Sequence, residues 1–199
     1  VALARVCGRA TLRLANADSL PFDFSNFSET VGQYVTELTK LADTMRDETK
    51  STNLAISSGM WNAAQDPRLG MIAPKPKSAV PHLNFAPLQN ALAVLQSSSV
   101  AYQQKLRTVM PAGGRKELDA ILMKTERALT RPEGLPRRDW FRHHIYAPGF
   151  YTGYGVKTLP GVREAIEQRN WKEAEEQIII AALVIERFAA EIDRATRAL

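Results

Sequence analysis

The residues best suited to chemistry lie in one stretch, RHHIYAPGFYTGYG, residues 142–155. His143 and His144 could bind a metal or move protons. Tyr146, Tyr151 and Tyr154 could offer hydroxyls, and Gly149, Gly153 and Gly155 could let the backbone close on a ligand. Such chemistry needs partners, and the chain supplies few. The one other histidine is His82, and no HExxH pair is present. Neighbouring residues on an extended segment point to opposite sides, so His143 and His144 are not placed to hold one ion together. The nearest carboxylate, Asp139, falls in a proline-rich turn. There is no GxSxG, and Cys7 lies in a helical segment with no base beside it. It reads as a small buried hydrophobe. Gly153-Tyr154-Gly155 fits neither phosphate-binding glycine pattern, and Glu175-Glu176 reads as ordinary helix-surface charge. No catalytic residue and no metal ligand is therefore assigned to this chain.

The elements that must position this stretch are helical. Residues 1–17 are rich in Ala, Leu and Arg. Pro21 interrupts them, because proline disfavours helix at the residue before it. Asn26, with Glu29 three residues on, is read as the cap of a second helix. Phe27, Val31, Tyr34, Leu38, Leu41 and Met45 form its apolar stripe. Gly59, Pro67, Gly70, Pro74, Pro76 and Pro81 make residues 54–83 a long irregular connection, with Trp61 and Met71 as its anchors. A third helix starts near Pro87, with Leu88, Leu92, Leu95, Tyr102 and Leu106 inward, and stops at Pro111 and Gly113-Gly114. A fourth carries Leu118, Ile121, Leu122 and Leu129. A structured loop covers roughly residues 131–160, with Pro132, Pro136, Pro148 and Pro160. A short helix spans about 161–169, and a last one runs from Trp171 to the end. No stretch reads as a strand. The expected fold is all-α: an antiparallel four-helix bundle in one domain, residues 1–199.

The last helix is apolar on more than one side, through Ile178, Ile179, Ile180, Leu183, Val184, Ile185, Phe188 and Ile192. Such a helix is either central in its bundle or shared with a partner. Its longest apolar run, Ile178 to Ile185, is far short of the ~18 residues of a membrane span, so this segment is not expected to insert in a membrane.

Hydrophobic residues make up 45% of 199, enough for a real core. With one cysteine, neither an intrachain disulfide nor a cysteine zinc site can form. The net charge of +5 mixes 26 basic with 21 acidic residues. Arg5, Arg9 and Arg13 form the one basic stripe, at i, i+4 spacing, which reads as a solvated helix face rather than a nucleic-acid surface. The chain starts at Val1 and reads as part of a longer protein.

Two blocks carry a resemblance. LRLANADSLPFDF, Leu12 to Phe24, and RPEGLPRRDWFRHHIYAPGFYTGYGVKTLPG, Arg131 to Gly161, resemble in order and separation the carboxy-terminal helical domain of the glutamate carboxypeptidase II and transferrin receptor family. The likeness covers roughly residues 5–45 and 130–190, and is weak over 54–110. It implies a homodimerisation domain that also packs on an upstream zinc peptidase-like domain of the same chain. It accounts for the over-apolar last helix as a subunit interface, with Ile179, Leu183, Ile185 and Phe188 as its candidates. It implies that residues of about 146–158 help line the substrate pocket of that domain, where zinc would reside. Tyr154 keeps the hydroxyl of the family's Lys-Tyr pair, whereas Gly153 stands at the lysine position. Lys157, four residues on, is read as solvated. Arg142, His143 and Tyr146 match the family's Arg-His and IYAP elements and are expected to tie the loop down. The alternative implied by the resemblance is the same domain in a non-catalytic, transferrin-receptor-like binding protein. Either relative implies a place outside the cytoplasm.

Overall fold

The computed structural model describes residues 1–17, 20–63, 74–109 and 116–199. Among the described residues the α-helices are, in chain order, α1 (Ala2–Ala15), α2 (Phe24–Ser57), α3 (Met60–Ala63), α4 (Ala86–Thr108), α5 (Lys116–Leu122), α6 (Pro160–Glu167) and α7 (Trp171–Ala198). A 3-10 helix, Thr125–Leu129, sits between α5 and the loop. The protein is predominantly all-α, as its periodicity requires.

Local chemistry sets the helix ends. The cap of α2 is Asp23 rather than Asn26: its carboxylate accepts from the backbone N–H of Ser25 at 3.0 Å and of Asn26 at 3.2 Å. Asp23 is still extended after Pro21, and Phe24 is already helical and buried, so the first turn forms three residues earlier than the Asn26–Glu29 spacing suggests. Gly59, at φ +76, closes that helix through the left-handed region. Pro87 occupies the first turn of α4, where its missing N–H costs nothing. The expected fourth helix divides into α5 and the tighter 3-10 turn. Asn170 caps α7 by accepting from Glu173 N–H.

The irregular connection is held by long polar side chains. Asn53 pairs in both directions with the Lys77 backbone, at 2.7 and 3.0 Å. Arg46 donates to the carbonyls of Val80 and Pro81. Pro67, Gly70 and Met71, like Pro111, Gly113 and Gly114, lie outside the described residues.

The core forms chiefly where α7 packs on α4, with α2 against α4 and α6 against α7. Ile178, Ile185 and Ile192 of α7 are buried, as are Leu88 and Leu95 of α4 and Val31 and Leu38 of α2. Ala91 and Ala189 let the backbones approach. Each fully buried Leu or Ile contributes about 1.5–3 kcal/mol relative to exposure. Phe24 meets Tyr102 and Phe188 edge-on, with ring centroids 5.0 and 5.8 Å apart. The α1 helix contributes no buried residue, so the core is drawn from the other long helices and the short α5 and α6. Cys7, expected in the interior, is exposed on α1 for the same reason.

One element departs from the all-helical expectation. The structured loop contains a small antiparallel hairpin, β1 (Tyr146–Pro148) and β2 (Val156–Thr158), with Ala147 opposite Lys157. Three residues per strand are too few for a periodicity signal. The hairpin is specified by its closure, where Gly149 N–H donates to the Gly155 carbonyl at 2.8 Å.

Candidate functional site

The loop that carries the histidines and tyrosines is clamped at its base by a buried ion pair. Arg138 and Glu164 are 5% and 4% exposed. Arg138 Nη2 donates to both carboxylate oxygens of Glu164, at 2.8 and 2.7 Å, and Nη1 donates to the Pro148 carbonyl at 2.5 Å. The same carboxylate accepts the Phe150 backbone N–H at 2.8 Å. One charge pair thus ties the 131–139 turn, β1, the hairpin loop and α6 together. The Phe150 ring lies 5.8 Å from the guanidinium carbons of both Arg137 and Arg138. Buried charges persist only when paired and fully hydrogen-bonded, and this arrangement comes close. Sequence reading missed the clamp because its halves are 26 residues apart. The available signal was a glutamate on the apolar side of a short helix, among Val162, Ala165 and Ile166.

Two glycines make the turns possible. Gly134 has φ +67, and a Cβ there would come within 2.2 Å of the Asp139 carbonyl oxygen. A Cβ on Gly149 would meet Thr152 Oγ1 at 2.0 Å.

A second cluster joins the loop to the 3-10 helix. Tyr146 donates its hydroxyl to Glu126 at 2.8 Å and stacks on His143, with centroids 4.2 Å apart. That bond raises the Tyr146 pKa. His143 Nδ1 accepts from the N–H of Ile145 and Tyr146, which leaves the neutral ring's proton on Nε2, 3.7 Å from Glu126. Burial lowers the His143 pKa against the opposing pull of Glu126. Arg142 is exposed, and its carbonyl accepts from Arg131 N–H.

His144 faces elsewhere. It is 4% exposed, and its pKa is pushed down to about 4 by burial first, then by Arg131, His143 and Arg187. Among the described residues, no group of three or more His, Cys, Asp or Glu side chains could hold a metal ion.

At the tip, Gly153 has φ +58 with open space around it, and Tyr154 is fully exposed. Lys157, read as solvated, is instead paired with Glu167 at 2.7 Å. The residues assigned to a subunit interface divide. Ile179 and Leu183, one helical turn apart, are 53% and 54% exposed, whereas Ile185 and Phe188 are committed to the chain's own core.

The family model for the transferrin receptor-like dimerisation domain matches residues 83–193. The matched span takes in α4, most of α7 and the whole clamped loop, and leaves α2 outside. It also includes residues 83–110, where the motif likeness was weak. A probable glutamate carboxypeptidase of Arabidopsis thaliana is 29% identical over 185 residues, covering 89% of this chain and 22% of that protein. A probable glutamate carboxypeptidase of Arthroderma benhamiae is 30% identical over 180 residues, covering 89% and 20%. An aminopeptidase of Rattus norvegicus is 26% identical over 203 residues, covering 98% and 23%. The chain thus spans about a fifth of the length of the curated relatives it matches.

Proposed function

The chain belongs to the transferrin receptor-like dimerisation domain family, and from that premise we propose that it is the self-association unit of a glutamate carboxypeptidase-like zinc exopeptidase. The observation that carries the reading is the outward apolar pair Ile179 and Leu183 on α7, inside the matched span and on the helix that anchors the core. A C2 dimer buries the same patch on both copies, so one exposed apolar strip on a rigid helix suffices to begin an interface. In this reading the zinc that the family resemblance implies sits in the peptidase domain of the longer protein.

The hairpin loop is a second contribution to the same function. Its base is held by the clamp, and its tip presents Tyr154 fully exposed, its hydroxyl without a partner among the described residues. In this reading residues 146–158 reach the peptidase domain, and Tyr154 hydrogen-bonds a substrate carboxylate. Gly153 brings no ammonium, and Lys157 is engaged by Glu167. Selection for a C-terminal glutamate side chain therefore rests on fewer charge-assisted bonds than a Lys-Tyr pair supplies.

Sedimentation equilibrium of the full-length protein over a concentration series tests the first part. A dimer is expected, and a strict monomer would overturn it. For the loop, Tyr154→Phe should raise KM for a C-terminal acidic dipeptide about tenfold with kcat little changed, the loss of one hydrogen bond to a charged group. An unaltered KM would remove Tyr154 from the pocket.

A further inference from the structure

A cleft opens beside the clamp. Its volume is about 430 Å³, the size of a small-molecule site. The 131–139 turn forms one wall and α7 the other, with Leu135, Pro136 and Ile180 supplying apolar surface.

Its polar lining is unusual for donors left unspent. His144 is buried, and its Nε2 meets no hydrogen-bond partner among the described residues. Arg138 Nε is buried and equally unpartnered. Arg131 spends only Nε, on Glu133, so both of its terminal nitrogens remain without a bond among the described residues. The Glu133 side chain is 66% exposed, and a surface pair of that kind exchanges easily. Arg137 and Arg138 are already committed to Glu173 and Glu164. Arg131 is therefore the cleft's available cation, with Glu133 as its displaceable partner and Asp139 the other carboxylate in the lining.

Buried unpartnered polar groups are rare, because each gives up hydration without return. An anionic ligand would replace Glu133 on Arg131 and set its charge beside the buried His144. The apolar wall then asks for a short hydrocarbon body behind the charge. We propose that this cleft binds a small organic carboxylate, its oxygens taking the terminal N–H groups of Arg131 and its apolar body lying against Leu135, Pro136 and Ile180. This site is separate from the Tyr154 loop and stands or falls independently of the dimer reading. A carboxylate seated there would also favour the protonated imidazole, drawing the His144 pKa up from about 4.

Butyrate is the probe, titrated calorimetrically into the full-length protein, with neutral butyramide as control. Saturable butyrate binding is expected, with none by butyramide. Arg131→Gln should weaken it at least tenfold, and Arg131→Lys should restore part of the loss. Glu133→Gln, an exposed change with no bearing on folding, should tighten binding severalfold by releasing Arg131. Absence of saturable binding, equal affinity for butyramide, or affinity unchanged in both Arg131→Gln and Glu133→Gln would each overturn the proposal.

Discussion

Two residues decide how the loop responds to mutation and to pH. Arg138 is bound on three sides, by Glu164, by the Pro148 carbonyl and, through Glu164, to the Phe150 amide. Removing one partner leaves the other charge buried and alone, which typically costs about 3–5 kcal/mol. Arg138→Met should therefore lower the urea midpoint sharply and speed hydrogen exchange at the Phe150 amide. A loss under about 1 kcal/mol would mean that the clamp is not closed in solution. His144 governs the acid limb. Its folded pKa of about 4 lies below the ordinary histidine value, so the unfolded chain binds more protons between those two pH values. Stability contributed by the neutral ring is complete above about pH 6.5 and falls as pH drops toward 4, at up to about 1.4 kcal/mol per pH unit. His143, depressed in the same direction, adds to the slope. Urea unfolding at steps between pH 7 and 4.5 reads this, and His144→Gln should flatten the curve. A slope unchanged by that substitution would show that His144 is not held neutral.

Helix by helix, the chain is uneven. The α4–α7 pairing is the most extensive in the core, and α1 holds none of it. A helix of 14 residues without tertiary packing is marginal in water. Deleting residues 1–15 should change unfolding free energy by less than about 1 kcal/mol. The amides of α1 should also exchange far faster than those of α7, by hydrogen-exchange mass spectrometry. A loss above about 2 kcal/mol would mean that α1 packs on this chain after all. Arg5, Arg9 and Arg13 are exposed on that helix, as a solvated face requires.

For the molecule as a whole, the dimer proposal gives α7 a different task on each of two faces, and substitutions should separate them. Leu183→Asp places a charge on half-exposed surface, where it can stay hydrated. The variant should keep its circular dichroism and shift toward monomer by sedimentation. Ile185→Asp places a charge in a site with no exposure, where no partner waits, and should unfold the protein. A folded Ile185→Asp protein, or an unfolded Leu183→Asp one, would invert the assignment of the two faces.

Much of this was written in composition and spacing. The apolar periodicities at 3.6 residues require helices wherever they persist for several turns, and prolines and glycines mark where they stop. Helical content, the buried stripe of α2 and the first turn of α4 at Pro87 follow from short-range rules that need no neighbour. Over-apolar α7 also announced that one face was not enough. Which face turns inward is a different matter. Ile179 and Ile185 are the same residue type six positions apart, and only the packing of α4 and α6 makes one exposed and the other buried. The Arg138–Glu164 clamp likewise joins residues 26 positions apart. Its pairing energy exists only after the backbone has brought the two together, and the glutamate on the apolar side of α6 is its one local trace.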